Sequence, residues 1–225
     1  MLFKDRTAAG QVLASKLADY ANCPDVLVLA LPRGGVPVAF EIAQALNAPL
    51  DVLVVRKLGV PDNPELAMGA LAKLPGTGFA SGGVRIINQQ VVNDINISEE
   101  VIARVAAQEQ RELERRESMY RGDEHFPELT GRKVILVDDG LATGATMWAA
   151  VIAVRQKNPQ EIVIAVPVAA PETYKQLQTK VEKMVCITTP SQFYSVGMWY
   201  EDFPQTTDDQ VRELLKKASN LVNSH

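Results

Sequence analysis

The chain of 225 residues is 47% hydrophobic and 22% charged, with 23 basic and 27 acidic side chains for a formal net charge of −4. That is ordinary globular composition with material for a sizeable core, and it offers no basic field to draw in nucleic acid or an anionic membrane. Two cysteines, Cys23 and Cys186, and two histidines, His125 and His225, are too few for a disulfide framework, a multi-histidine metal site or a His-dependent triad.

The opening MLFKDRTAAGQ contains no apolar leader and no stretch approaches 18 apolar residues, so a soluble, cytoplasmic protein is expected. An amphipathic helix is expected over 7–20, with Val12, Leu13, Leu17 and Tyr20 on one side. VLVLAL (26–31) reads as the first strand, LPRGGVPVA crosses into a helix from Val36 to Leu46, and DVLVV (51–55) reads as the second strand. Arg56 and Lys57 then emerge where that strand ends, and residues 75–97, rich in Gly and Asn, suggest a hairpin or mobile flap.

Ser98 is the expected N-cap of a helix reaching Tyr120, with Glu99 and Glu100 in its first turn. Its second half, QEQRELERRESMYR, mixes charge signs and reads as a solvated face in preference to a nucleic-acid patch. KVILV (133–137), EIVIAVPV (161–168) and the weaker KMVCIT (183–188) are strands, separated by helices at Ala145 to Gln156 and Pro171 to Val181. Uniform apolar strands alternating with helices imply an α/β fold, a mostly parallel central sheet flanked by helices.

Chemistry concentrates in VILVDDGLATGATM, residues 134–147. An apolar strand ends there at Asp138 and Asp139, and a small-residue loop, Gly140 to Thr146, leads into a helix. In open α/β sheets ligands bind at the carboxyl edge of the strands. The loop amides and the hydroxyls of Thr143 and Thr146 can converge on a phosphate at a helix N-terminus. The two carboxylates repel phosphate, but they accept hydrogen bonds from a vicinal diol and can hold Mg²⁺. A ribose 5-phosphate unit presents both features. Alternatively, the Asp pair merely caps a turn. No P-loop, G-x-G-x-x-G or G-x-S-x-G pattern competes.

DDGLATGAT after such a strand resembles the phosphoribosyl pyrophosphate (PRPP) signature of the type I phosphoribosyltransferases, most closely a bacterial stand-alone group within them. That resemblance implies a PRPP-binding core over 1–188, including the flap near 75–97, and a small C-terminal hood and helix over 189–225. It assigns the ribose hydroxyls and Mg²⁺ to Asp138 and Asp139, and the 5-phosphate to the loop of Gly140, Ala142, Thr143, Gly144, Ala145 and Thr146. PRGG resembles the family's pyrophosphate loop, often carrying a cis peptide, which makes Arg33, Gly34 and Gly35 PRPP contacts. Arg33, Arg56, Lys57 and Asp139 become the catalytic candidates. Read without the resemblance, PRGG is also compatible with a plain turn, and Arg56 with a solvated strand end.

Residues 189–205 hold Phe193, Tyr194, Trp199, Tyr200 and Phe203 in a chain with only 6% aromatics. By the resemblance, Phe193, Trp199 and Tyr200 cover a nucleobase; packing into the core is the other reading. The position of Ala142 is usually an Asp in the 6-oxopurine enzymes. Alanine exchanges no proton, which favours an adenine-like or orotate-like arrangement. The expected reaction joins PRPP to a nucleobase or other amine with release of pyrophosphate, possible as a homodimer, without nucleic acid or membrane partners. A PRPP-binding regulator without turnover is the alternative, and a receiver-like acidic pocket ranks last because it needs no phosphate loop.

Overall fold

The computed structural model describes residues 2–74, 83–121 and 126–222. Five strands form a parallel sheet in the order β2-β1-β6-β7-β8: β1 Val26–Ala30, β2 Leu50–Val52, β6 Lys133–Val137, β7 Glu161–Val168 and β8 Lys183–Thr188. A second, antiparallel sheet of three strands joins β3 Val55–Val60, β4 Asn63–Lys73 and β5 Gly83–Ile87. The helices are α1 Arg6–Ser15, α2 Gly35–Leu46, α3 Gln89–Asp94, α4 Glu99–Arg121, α5 Ala145–Arg155, α6 Pro171–Leu177 and α7 Asp208–Val222.

Every residue of β1 is buried, as the uniform apolar run requires of a strand covered on both faces. Val26, Val28 and Ala30 face a core built with α1, α2, α4 and α7, whereas Leu27 and Leu29 face one built with α5, α6 and the antiparallel sheet. The parallel register sets Ala30 beside Val137, so β1 and β6 end together at the centre of the carboxyl edge. Their two following loops are therefore neighbours.

One local expectation is met: Ser98 Oγ accepts from the Val101 amide at 3.4 Å ahead of α4. Asp5, unmarked in the sequence reading, caps α1 by accepting from the Ala8 amide at 2.7 Å. Other expectations need correction. The leading helix stops at Ser15 and is followed by a short 3₁₀ turn at Ala18–Tyr20, and α6 ends at Leu177. The run 51–55 is not one strand: the chain leaves the parallel sheet after Val52 and enters the antiparallel sheet at Val55.

Of the expected flap, residues 83–97 supply β5 and α3, while 75–82 lie outside the described residues. In the expected C-terminal unit, residues 199–202 pair with the N-terminus: Phe3 N–H donates to Trp199 O at 2.9 Å and Asp202 N–H to Lys4 O at 2.9 Å. Helix α7 then returns to the main core through Val211 and its neighbours. Among the described residues no helix is long and apolar enough to cross a membrane.

Candidate active site

The loops after β1 and β6 are interlocked. Leu31 N–H donates to Val137 O at 2.8 Å, and the Pro32–Arg33 peptide that follows is cis. Gly34 and Gly35 then pass directly under the acid pair. A Cβ on Gly34 would stand 2.0 Å from Asp139 Oδ2, and one on Gly35 would stand 2.7 Å from Val137 O and 2.9 Å from Asp138 Cα. Only residues without side chains permit this approach, which is the physical reason for two adjacent glycines here. The structure thus brings Arg33, Gly34, Gly35, Asp138, Asp139 and Gly140 together.

Asp139 is held from several directions. Its N–H donates to Asp138 Oδ1 at 2.8 Å, its carbonyl accepts from the Tyr200 hydroxyl at 2.6 Å, and its Oδ2 accepts from Arg6 Nε at 2.8 Å. The Arg6 and Asp139 side chains are 10% and 15% exposed, so this is a largely buried ion pair. Burial and the neighbouring Asp139 push the Asp138 carboxyl well above the usual carboxylate range. Burial also raises Asp139, and the Arg6 guanidinium opposes that rise. The Tyr200 hydroxyl is raised too, by burial first and then by Asp139.

Beyond the acids, the chain makes a bridge at Leu141 to Ala169 and turns into α5 at Gly144, whose φ is +71°. A Cβ there would also meet Thr173 Cγ2 at 2.6 Å, so glycine is required twice over. Thr173 Oγ1 donates to Ala142 O, pinning the loop to α6. Ala142 and Thr143 are exposed, and Ala145 and Thr146 form the half-buried first turn of α5. First-turn amides have no partner within their helix, so this corner presents N–H donors to an anion.

Other expected site residues fall differently. Arg56 and Lys57 do not emerge from a parallel strand; they are consecutive residues of β3, and consecutive strand residues project to opposite faces. Arg56 Nε and Nη2 both reach Glu109 Oε2 on α4, at 2.7 and 2.6 Å. Arg33 lies 3.7 Å from Asp208 Oδ1, which also accepts from the Tyr120 hydroxyl at 2.5 Å.

The residues proposed to cover a base also divide. Tyr200 is 6% exposed, its ring 4.8 Å from Phe203 and 5.6 Å from Phe3, so it has no free face to stack on a ligand. Phe193 and Trp199 are half-buried, and Trp199 packs against the Phe3 and Tyr200 cluster. Tyr194, at 78%, is the most exposed large apolar side chain in this stretch. Val196 lies against the Gly140 backbone, which brings the segment directly onto the acid loop.

Sequence reasoning missed Arg6 and Asp208. Arg6 is 133 positions from Asp139, and nothing local in MLFKDRTAAGQ marks its partner. Asp208 carries only the ordinary signature of an acid at a helix N-terminus, one of two in the first turn of α7.

The model of the phosphoribosyl transferase domain family matches residues 4–201. Provisionally named phosphoribosyl transferases from two Mycobacterium tuberculosis strains, CDC 1551 and H37Rv, are each 44% identical over 218 residues, covering 96% of this chain. The chain spans about half the length, 47%, of those mycobacterial relatives. The crystal structure of TT1426 from Thermus thermophilus superimposes with a TM-score of 0.76 at 39% identity, covering 96% of this chain and 99% of that one. With interlocked loops at the carboxyl edge and a family match over most of its length, this chain belongs to the phosphoribosyl transferase domain family.

Proposed function

We propose that the chain is an enzyme that transfers the 5-phosphoribosyl group of PRPP to a nitrogen acceptor, a nucleobase by preference, and releases pyrophosphate. The observation that supports this reading is the contact between Gly34 and Asp139, which puts the PRGG loop against the acid pair with the α5 amide corner beyond. PRPP has two phosphoryl ends separated by a sugar with two hydroxyls. The three elements match those three parts in kind and in order.

In the reaction, the acceptor nitrogen forms a bond to C1 of the ribose, the C1–O bond breaks with its electron pair leaving on pyrophosphate, and the nitrogen sheds its proton to solvent or to a base. The chain's work is positioning and electrostatics. Asp138 and Asp139 accept from the sugar hydroxyls, the loop from Gly140 to Thr146 grips the 5-phosphate, and Arg33 with the Gly34 and Gly35 amides receives the departing pyrophosphate. Arg56, fastened to Glu109, contributes to the local field at most; Lys57, on the opposite face of β3, is not grouped with it.

The acid pair suits Mg²⁺. Among the described residues no group of three or more His, Cys, Asp and Glu side chains could cage a metal, and Mg²⁺ characteristically relies on one or two carboxylates plus substrate phosphates. Asp138, crowded and largely buried beside a second acid, gains most from a cation; Asp139 already has Arg6. When bound, Mg²⁺ supplies neutralisation of the charge gathering on pyrophosphate. The acceptor would lie beneath the segment that packs on Gly140, with Phe193 and Trp199 as its contacts; Tyr200 is withdrawn from that role. A cytoplasmic location suits small phosphorylated substrates.

The test is incubation with PRPP, Mg²⁺ and a panel of bases and other amines, following pyrophosphate. Acceptor-dependent release is expected. The pairing of Arg56 with Glu109 favours a second reading, a PRPP-binding regulator, and saturable PRPP binding with no release for any acceptor would establish it instead. Failure to bind PRPP at all would overturn both readings. Asp139→Asn should weaken PRPP binding and lower the melting temperature, through the charge left on Arg6, while a cooperative thermal transition is retained.

A further inference from the structure

We propose that Arg6, in the N-terminal helix, is a positioning residue for Asp139, holding that carboxylate in the orientation in which it receives a ribose hydroxyl. This rests on the assignment of the acid pair to the diol of PRPP made above.

The geometry is a closed circuit of contacts. Arg6 Nε donates to Asp139 Oδ2 at 2.8 Å, and Arg6 Nη1 donates to the Pro204 carbonyl at 2.7 Å. The guanidinium carbon stands 3.7 Å from the centroid of the Phe203 ring. That ring stacks on Tyr200 at 4.8 Å, and the Tyr200 hydroxyl donates to the Asp139 carbonyl at 2.6 Å. The circuit therefore grips Asp139 twice, through its side chain and its main chain. Arg6 is itself fixed by two hydrogen bonds in different directions and a ring beside its guanidinium carbon, an arrangement that suits a planar fork with donors in fixed directions and a face left for the ring.

The need for such a clamp follows from the sequence. Two consecutive carboxylates, one with its oxygen on the other's amide, repel each other in a site of low exposure. Gly34 lies against Asp139 Oδ2, so this oxygen has no freedom to retreat on that side. Arg6 neutralises and orients Oδ2, leaving the second oxygen for the sugar. Its contacts are with Asp139, Pro204 and Phe203, and its role is exerted through Asp139, as outer-shell partners of binding carboxylates act.

The experiment is a double-mutant cycle read as the PRPP dissociation constant in Mg²⁺, by calorimetry on the full chain. Arg6→Gln should raise that constant roughly tenfold in the wild-type background, the lower end of what loss of an outer-shell partner produces. It should change it little in the Asp139→Asn background, because the carboxylate on which Arg6 acts is gone. A merely structural Arg6, holding α1 against the C-terminal segment, would weaken binding equally in both backgrounds, and that result overturns the proposal. So does Arg6→Gln binding like wild type while Asp139→Asn is weakened. If Arg6→Gln does not fold, Phe203→Leu keeps both charges and removes the stacked ring. It should produce a smaller loss that likewise disappears with Asp139→Asn, and persistence of that loss counts against the clamp. An Asp139→Asn variant that binds PRPP normally defeats the diol assignment itself, an outcome distinct from failure of Arg6 alone.

Discussion

Gly34 shows how much of the site one missing methyl group decides. Its backbone lies in the right-handed helical region, φ −61° and ψ −32°, so alanine has no conformational objection. The obstacle is Asp139 Oδ2, 2.0 Å from the would-be Cβ. Gly34→Ala must therefore displace either the acid or the PRGG loop, at an overpacking cost of about 1–3 kcal/mol. If that strain falls on the bound state we expect roughly a tenfold loss of PRPP affinity, about 1.4 kcal/mol, beyond what a modest fall in melting temperature accounts for, checked by calorimetry and thermal unfolding. Retained affinity would mean that the contact of the two loops is packing alone. At this scale the sequence was legible where the partners are local, as in DDGLATGAT and PRGG. It was silent on Arg6, because an ion pair spanning 133 positions leaves no periodic trace.

At the scale of elements, legibility followed side-chain chemistry. β1, β6 and β7 are runs of Val, Ile and Leu buried on both faces, and such runs announce themselves. β4, at eleven residues the longest strand described, escaped notice: its Ala, Gly, Met and Leu carry none of the β-branched or aromatic signal. What makes it a strand is tertiary, namely pairing with β3 and β5 and packing against α4 and α5. The same junction holds a buried ion pair, Lys73 Nζ to Glu117 Oε2 at 2.8 Å.

Burial raises the Glu117 carboxyl above its ordinary value even though Lys73 opposes the shift. The folded chain therefore takes up this proton at a higher pH than the unfolded chain. The stabilisation linked to Glu117 is complete below the unfolded value near 4.3 and is lost as pH rises through the raised folded value. Acidification from neutrality should thus increase the stability of wild type relative to Glu117→Gln, measured as urea midpoints of both across that window. A difference that stays constant or shrinks would show that Lys73 holds Glu117 ionised throughout.

For the whole molecule, the consequence of the topology is that two segments far apart in sequence, 3–6 and 199–204, converge on one residue, Asp139. Residues 3–4 pair with 199–202, Arg6 reaches Asp139, and Tyr200 holds the same residue by its carbonyl. Ligand binding at the acid pair should then be felt far from the phosphate loop. At one hundred times its dissociation constant PRPP adds about 2.7 kcal/mol to the stability of the state that binds it. Amides that exchange through opening of the clamp must share that gain, whereas amides that exchange through independent fraying share none of it. Hydrogen exchange with PRPP and Mg²⁺ should therefore slow in residues 2–9 and 196–204 as well as in 138–146. The protection of 2–9 and 196–204 should fall selectively in Arg6→Gln, even at PRPP concentrations that saturate that variant, because the proposed phosphate loop is untouched while these two segments keep only the Tyr200 hydroxyl on Asp139. Protection confined to 138–146 in the wild-type chain would separate both segments from the site and leave their contacts with Asp139 as packing.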